Sequence, residues 1–125
     1  MLFDTDMFIW VQRGHEKAAE MLDKAKERFL SVQTYMELLQ GAKNKEHHRL
    51  IKDFLSSFGF KILPFTENIG HRASIYVEEY TLSSNIRAGD AIVAATAIEN
   101  NVQLVTSNAK HFKPIKELKL KVFKP

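Results

Sequence analysis

The residues best suited to do chemistry are two aspartates that follow a short apolar run. Residues 1–3 are apolar, and Asp4, Thr5 and Asp6 come directly after them. A carboxylate at the end of a buried strand must be hydrogen-bonded, paired with a cation or exposed in a cleft. Two carboxylates flanking a hydroxyl supply the oxygen ligands that hard divalent cations prefer. The pattern therefore predicts a divalent-metal site, with a helix cap made by Asp4 or Asp6 as the alternative.

Three more polar residues interrupt apolar surroundings later in the chain. Glu37 lies in a predicted helix, Asp90 precedes the most hydrophobic helix, and Asn108 follows a predicted strand. Each has an ordinary structural alternative, namely a solvated helix residue, a helix cap and a turn residue respectively. In a parallel α/β sheet the strand C-termini share one edge, so these side chains and Asp4 can converge there. Because clustered carboxylates repel one another, such a cluster requires a divalent cation at neutral pH.

Alternating strand and helix patterns supply the elements that would position these residues. The spacing of the apolar residues and the positions of turn residues predict strands over 1–3, 29–32, 60–65, 102–105 and 120–123. They predict one or two helical turns over 7–11 and helices over 15–28, 45–58 and 88–98. Two further helices are predicted, one from residue 33 or 34 to about 41 and one from a cap at Thr66 to about 84. This alternation predicts an α/β fold with a mainly parallel sheet and helices on both faces, and it leaves the strand order open.

Length and composition favour a single domain over residues 1–125. No apolar run approaches the ~20 residues of a membrane span, and no signal-peptide pattern is present, so we expect no membrane partner. Cysteine is absent, which excludes disulfides and thiolate metal sites and fits the cytoplasm. The net charge is +3, and the segment 110–124 carries six lysines against one glutamate. A basic segment of this kind suits a polyanionic substrate, and a solvated lysine-rich edge is the alternative.

Four segments, in this order, resemble the motifs of PIN-domain ribonucleases. They are residues 3–6 (Phe-Asp-Thr-Asp), 36–38 with Gly41 following, 89–97 and 104–112. The similarity is greatest to the VapC-type toxins of bacterial and archaeal toxin–antitoxin pairs. It covers essentially the whole chain, and segments 89–97 and 106–112 are its most specific parts.

This resemblance implies a three-layer α/β/α sandwich with a short, mainly parallel sheet. It also implies a Mg²⁺- or Mn²⁺-dependent endoribonuclease that leaves 5′-phosphate and 3′-hydroxyl ends on RNA. Relatives of this kind are usually homodimers that a VapB-type antitoxin neutralises in a higher assembly. We therefore expect RNA as substrate, a VapB-type antitoxin as partner and a homodimer as the basic unit.

The resemblance also assigns roles to individual residues. Asp4, Glu37 and Asp90 match the three acids that hold the metal and carry out catalysis. Thr106 matches a hydroxyl that supports the site from behind the ligands, and Thr5 is expected to do the same.

Two positions depart from the usual pattern of the family. Asn108 is predicted to be catalytic, yet it replaces a fourth carboxylate, so a second metal ion would be held weakly or not at all. Asp6 stands where relatives usually have Asn or Ser. We hypothesise that Asp6 is an additional metal ligand that partly restores the missing negative charge.

Cations near the motifs are candidates for binding the RNA backbone. Arg13, Arg87, Lys110 and Lys113 flank the motif-bearing segments and are predicted to contact phosphates.

Two other functions remain open at this point. The opening Asp4-Thr5-Asp6 also looks like the start of a haloacid-dehalogenase-type phosphatase, although Phe8 stands where that motif usually has Thr or Val. The second alternative keeps the PIN fold but only binds RNA or a protein partner, and the missing acid at Asn108 motivates it.

Overall fold

A five-stranded parallel sheet forms the centre of the computed structural model, which describes all of residues 1–125. The strands are β1 (Leu2–Phe3), β2 (Phe29–Ser31), β3 (Lys61–Leu63), β4 (Leu104–Thr106) and β5 (Leu120–Val122). They are hydrogen-bonded in the order β3-β2-β1-β4-β5, and every neighbouring pair is parallel. The first strand in the chain is therefore the central strand of the sheet.

Six α-helices cover the two faces of this sheet. They are α1 (Thr5–Gln12), α2 (Glu16–Lys24), α3 (Val32–Gln40), α4 (Lys45–Ser57), α5 (Glu67–Ser84) and α6 (Ala88–Glu99), and a single 3₁₀ turn spans Ala109–His111. The predicted α/β/α fold is thus confirmed. None of the helices combines the length and the apolarity needed to cross a bilayer.

Successive side chains of the central strands point to opposite faces of the sheet, and this divides the hydrophobic core into two halves. Leu2 and Leu104 pack with α5 and α6 on one face of the sheet. Phe3 and Val105, the next residues of the same strands, pack with α1, α2 and α4 on the other. Because successive side chains of a strand point to opposite faces, these short strands need apolar residues at every position.

Helix α6 is buried more completely than the other helices, as its composition predicts. Six of its residues, Ala91 and Val93–Ala97, are buried, and the helix packs closely along α5. Asp90, one of the predicted site residues, lies in the first turn of this buried helix.

Two helix boundaries differ from those predicted. Helix α1 begins at Thr5 rather than near Met7, because the Asp4 side chain accepts a hydrogen bond from the Thr5 N–H and caps the helix. Helix α2 ends at Lys24 rather than at Arg28. There, the Arg28 guanidinium donates to the carbonyl oxygens of Leu22 at 2.6 Å and Asp23 at 2.5 Å, which satisfies acceptors at the end of the helix.

Candidate active site

An acidic cavity of about 500 Å³ opens at the C-terminal edge of the central strands. Strand β1 runs directly into α1, β2 into α3, and β4 into the 3₁₀ turn, so the starts of these segments meet at this edge. The cavity is lined by Asp4, Thr5, Asp6, Ile9, Gln33, Glu37, Arg87, Gly89, Asp90, Val93, Asn108 and His111. We refer to it as the acidic cavity.

Asp4 lies at the floor of the cavity, where both of its oxygens are engaged. Oδ1 accepts the Thr5 backbone N–H at 2.8 Å, and Oδ2 accepts the Thr106 hydroxyl at 2.9 Å. Burial, followed by repulsion from Asp6 and a smaller effect of Asp90, raises the pKa of Asp4 to about 7. A carboxyl group whose ionisation is disfavoured in this way is stabilised as an anion when a cation binds beside it.

Asp6 connects α1 to the segment that follows β4. Its Oδ2 accepts the Ser107 backbone N–H at 2.8 Å and also the Ser107 hydroxyl. Trp10 Nε1 donates to the same serine Oγ at 3.1 Å, which fixes the serine in place. The other oxygen, Asp6 Oδ1, is buried and has no hydrogen-bond partner. Burying a carboxylate oxygen without a hydrogen-bond donor costs free energy, and a cation or a water molecule bound to this oxygen would reduce that cost.

The Thr106 hydroxyl lies between the two aspartates. Its oxygen is 2.9 Å from Asp4 Oδ2 and 3.2 Å from Asp6 Oδ2, and it accepts the Asn108 backbone N–H at 3.0 Å. Its single hydrogen can serve only one of the two carboxylates at a time. Thr106 therefore contacts both aspartates without neutralising either of them, and its supporting role in the site stays a prediction.

Glu37 is anchored by a row of hydroxyl groups. Its Oε1 is 3.0 Å from Thr5 Oγ1, which is 3.1 Å from Thr34 Oγ1, and Ser31 Oγ follows at 3.3 Å. Because an ionised carboxylate only accepts, Thr5 donates its hydrogen to Glu37 and receives one from Thr34. The Glu37 side chain is otherwise exposed to the cavity, so its Oε2 remains available.

Asp90 lines the cavity from the first turn of α6. Its Oδ2 accepts the Arg87 backbone N–H at 3.3 Å, so it also caps the helix. His111 Nδ1 lies 3.0 Å from the same oxygen, and Asn108 Nδ2 lies 3.2 Å from that nitrogen. A Cβ atom on Gly89 would come within 3.3 Å of the Gln33 side chain, so glycine here lets α6 approach α3 closely.

The structure brings most of the predicted site residues together. The cavity is lined by all five residues predicted as catalytic or metal-binding, and by Thr5. Of the four predicted RNA-contacting cations, Arg87 lines the cavity, whereas Lys110 and Lys113 are exposed at and just after the 3₁₀ turn. Arg13 is exposed at the end of α1 and lies outside the lining.

Two polar residues of the cavity lining were not among the site residues predicted from the sequence. His111 contacts Asp90 directly, and Gln33 lies beside Gly89. The signal for His111 was its position three residues after Asn108 within one turn, which brings the two side chains together. For Gln33 the signal was weaker, since a glutamine early in a helix is commonly solvated.

The donor atoms of the acidic cavity suit a hard divalent cation. Its walls carry four carboxylate side chains and the two amides of Gln33 and Asn108, and they carry no cysteine. No three acidic, histidine or cysteine side chains are grouped closely enough to hold an ion as they stand. The raised pKa of Asp4 and the unpartnered Asp6 oxygen both indicate uncompensated negative charge. The chemistry of these donors therefore fits such a cation, and side-chain rotation is needed to bring them around it.

Sequence comparison identifies relatives of this chain over nearly its whole length. The model of the PIN domain family matches residues 1–118. The protein "Ribonuclease VapC10" of Mycobacterium tuberculosis is 33% identical over 123 residues, which cover 95% of this chain and 90% of the relative.

Solved structures with the same fold include components of toxin–antitoxin complexes. A chain of a toxin–antitoxin complex from Klebsiella pneumoniae superimposes with a TM-score of 0.79 and 30% identity, covering 94% of this chain and 93% of that one. A chain of VapBC2 from Rickettsia felis, bound to a DNA fragment from its promoter, superimposes with a TM-score of 0.80 and 26% identity, covering 98% of both chains.

Proposed function

The chain belongs to the PIN-domain family, and we propose that it is a divalent-metal-dependent endoribonuclease, the toxin of a VapBC-type pair. The observation that carries this proposal is the convergence of Asp4, Asp6, Glu37 and Asp90 on one open cavity. A phosphodiester carries a negative charge that four carboxylates would repel, so a cation must lie between them for RNA to bind. The family match favours this reaction over the phosphatase alternative.

Each acid has a proposed role that follows from its contacts. Asp4 and Asp90 line the cavity from different segments, the N-terminus of α1 and the first turn of α6, and are the direct ligands. Glu37 keeps one oxygen free of protein donors and serves as a third ligand or orients the attacking water. When bound, Mg²⁺ or Mn²⁺ supplies Lewis-acid activation of water and of the phosphoryl group.

Asp6 and Asn108 together determine how many ions the site holds. Asn108 is exposed at the rim and offers a neutral amide, which suits hydrogen bonding to a phosphate oxygen. Asp6 contributes the negative charge that an acid at position 108 would have provided, through its unpartnered Oδ1. We therefore propose a site with one strongly held ion.

The cations around the cavity give the RNA backbone its path. Arg87 is exposed on the cavity wall, and Lys110 and Lys113 extend the positive surface along the 3₁₀ turn. Phosphate contacts of this kind fix the position of the strand and carry little base specificity. Arg13 lies farther along α1, and we assign it to a more distant phosphate.

The protein is the partner of a VapB-type antitoxin, as its relatives in VapBC complexes indicate. We propose that residues 1–125 form one nuclease domain, that two copies form a homodimer, and that this dimer enters a larger assembly with the antitoxin. Exposed apolar side chains, among them Met36 and Ile62, are available for these contacts. Because its substrate is cellular RNA, we place the activity in the cytoplasm.

The test is RNA cleavage by the purified protein with Mg²⁺, with Mn²⁺ and with excess EDTA, beside Asp90→Asn. The expected result is cleavage with either metal, none with EDTA, and a loss of about 100-fold or more in the variant. Asp53→Asn is the matched control, because Asp53 is exposed on α4 and pairs only with Arg49 at 3.6 Å.

Two other outcomes would contradict the proposal. Cleavage that survives both EDTA and Asp90→Asn would show a contaminating or metal-independent nuclease. Metal binding without cleavage of any RNA would favour the binding-module alternative that the neutral Asn108 suggests.

A further inference from the structure

His111 lines the cavity, and the proposed mechanism assigns no role to it. Its side chain is 26% exposed, and it contacts two residues of the site, Asp90 and Asn108. It comes from the 3₁₀ turn after β4, whereas Asp90 comes from the first turn of α6, so the contact joins two separate segments. A histidine in this position can act on the substrate, or it can act on Asp90.

The contact with Asp90 determines which ring nitrogen carries a hydrogen. Nδ1 lies 3.0 Å from Asp90 Oδ2, and an ionised carboxylate can only accept. Nδ1 is therefore the donor and has no lone pair left for the Asn108 amide, which lies 3.2 Å away. The Asn108 side chain forms a hydrogen bond with His111 only when its amide is flipped, so that the amide oxygen accepts from the Nδ1–H.

The hydrogen bonds of Asp90 are concentrated on one oxygen. Oδ2 receives both the His111 Nδ1–H and the Arg87 backbone N–H. Oδ1 receives no donor and is not enclosed, so it stays open to the cavity. Two donors on one oxygen fix the rotation of the carboxylate and leave the other oxygen in place to act as a ligand.

We propose that His111 is a positioning residue, which holds Asp90 through Nδ1 so that Asp90 Oδ1 faces the cation. This inference rests on the proposed metal-dependent function. Hydrogen bonds to ligating carboxylates orient them, and removing such a partner typically lowers metal affinity about 10- to 100-fold. His111 would thus strengthen a site that lacks an acid at position 108.

Two conservative substitutions separate this role from direct contact with RNA. The amide nitrogen of asparagine reaches the position of Nδ1, whereas that of glutamine reaches the position of Nε2. His111→Asn therefore retains a donor to Asp90, and His111→Gln retains only a group facing outward. His111→Phe keeps the ring and removes both nitrogens.

The experiment measures Mn²⁺ binding by calorimetry in the absence of RNA, and then kcat and KM for RNA cleavage. His111→Phe and His111→Gln should bind Mn²⁺ about 10-fold more weakly than the unaltered protein, and His111→Asn within about threefold. We expect kcat to fall in the same order while KM for RNA stays unchanged. His71→Phe is the matched control, because His71 is exposed on α5.

Either of two results would overturn the inference. One is an unchanged Mn²⁺ affinity in His111→Phe. The other is that His111→Gln, rather than His111→Asn, keeps the activity of the unaltered protein, and that the other variants change KM for RNA. If the phenylalanine variant does not fold, the comparison of asparagine with glutamine decides. A protein that binds Mn²⁺ but cuts no RNA would refute the proposed function, while the binding data would still test His111.

Discussion

Helices α1 and α3 each present two chemically opposite surfaces. Asp6 of α1 and Glu37 of α3 line the acidic cavity, whereas Phe8 and Leu38 of the same helices face an apolar groove of about 380 Å³. Helix α4 completes this groove. It is lined by Phe8, Val11, Gln12, Leu38, His47, Leu50, Ile51, Phe54 and Leu55.

The two regions affect stability in opposite directions. In the acidic cavity, folding buries Asp4 and brings it close to Asp6, and both effects raise the pKa of Asp4, so this region destabilises the metal-free protein. In the apolar groove, Ile51 and Leu55 are 6% and 4% exposed, and their burial stabilises the fold. The proposed function and the stability of the fold are therefore carried by different residues of the same helices.

Asp4→Asn should produce the largest change, and its effects on activity and stability should have opposite signs. RNA cleavage should fall at least about 1,000-fold, because a ligand worth several kcal/mol to the transition state is lost. The metal-free variant should nevertheless be more stable at pH 8, by on the order of 2 kcal/mol. Thermal unfolding in EDTA measures this gain.

The pH dependence of that gain follows from the pKa of Asp4, which rises from 3.8 to about 7 on folding. The native state binds this proton more tightly than the unfolded state, so stability falls as the pH rises from about 4 to 7. The variant should lose this dependence, and the two proteins should be equally stable below about pH 4. A variant that is less stable than the unaltered protein at pH 8 would contradict the prediction.

Leu55→Ala in the apolar groove should show the reverse behaviour. Removing a buried leucine side chain should lower the free energy of unfolding by about 2–4 kcal/mol, through lost burial and the cavity left behind. The cleavage rate per folded molecule should remain within about twofold, because no residue of the acidic cavity is altered. Denaturant unfolding and RNA cleavage at 25 °C measure the two quantities. A large loss of activity in fully folded protein would show that the two regions are coupled.

Asp6→Asn tests whether Asp6 compensates for the neutral Asn108. The variant can still accept the Ser107 N–H through its amide oxygen, so the connection between α1 and the β4 turn should persist. We expect the affinity for Mn²⁺ to fall about 10-fold, since one nearby negative charge is lost. Asp23→Asn, at an exposed position of α2, is the control. Unchanged metal affinity and cleavage would end the compensation hypothesis.

Leu50→Ala should have the smallest effect of the four. Leu50 lines the same groove as Leu55, but it is 55% exposed. The expected change in stability is within about 0.5 kcal/mol, with cleavage unaltered. Comparison with Leu55→Ala shows whether the groove contributes stability through its floor alone. An equal loss in both variants would mean that Leu50 is covered in solution.

The acids could be predicted from the sequence because each follows a pattern that places it at one edge of a parallel sheet. Asp4 ends the central strand, and Asp90 begins the most apolar helix. The structural alternatives considered for these two residues also hold, since Asp4 caps α1 and Asp90 caps α6. Capping and lining the cavity are compatible, because a helix N-terminus at the sheet edge points its first side chains into the cleft.

The remaining features depend on contacts between distant segments. The Ser107 hydroxyl and N–H that occupy one oxygen of Asp6 lie 101 residues away in sequence. The end of α2 depends on Arg28, which lies beyond the helix itself. Neither the strand order nor the hydrogen bond of His111 to Asp90 has a local signal, because each is fixed only when the layers pack.

The central position of β1 has a consequence for the time at which the nuclease becomes active. Asp4 is translated well before the hydroxyl that holds it, which belongs to Thr106, 102 residues later. At about 5–20 residues per second, the ribosome needs roughly 5–20 s to travel between them. During that interval the nascent chain has the first two carboxylates but lacks β4, its neighbour in the sheet. A ribonuclease arranged in this way is inactive until the ribosome has translated the codons between Asp4 and Thr106.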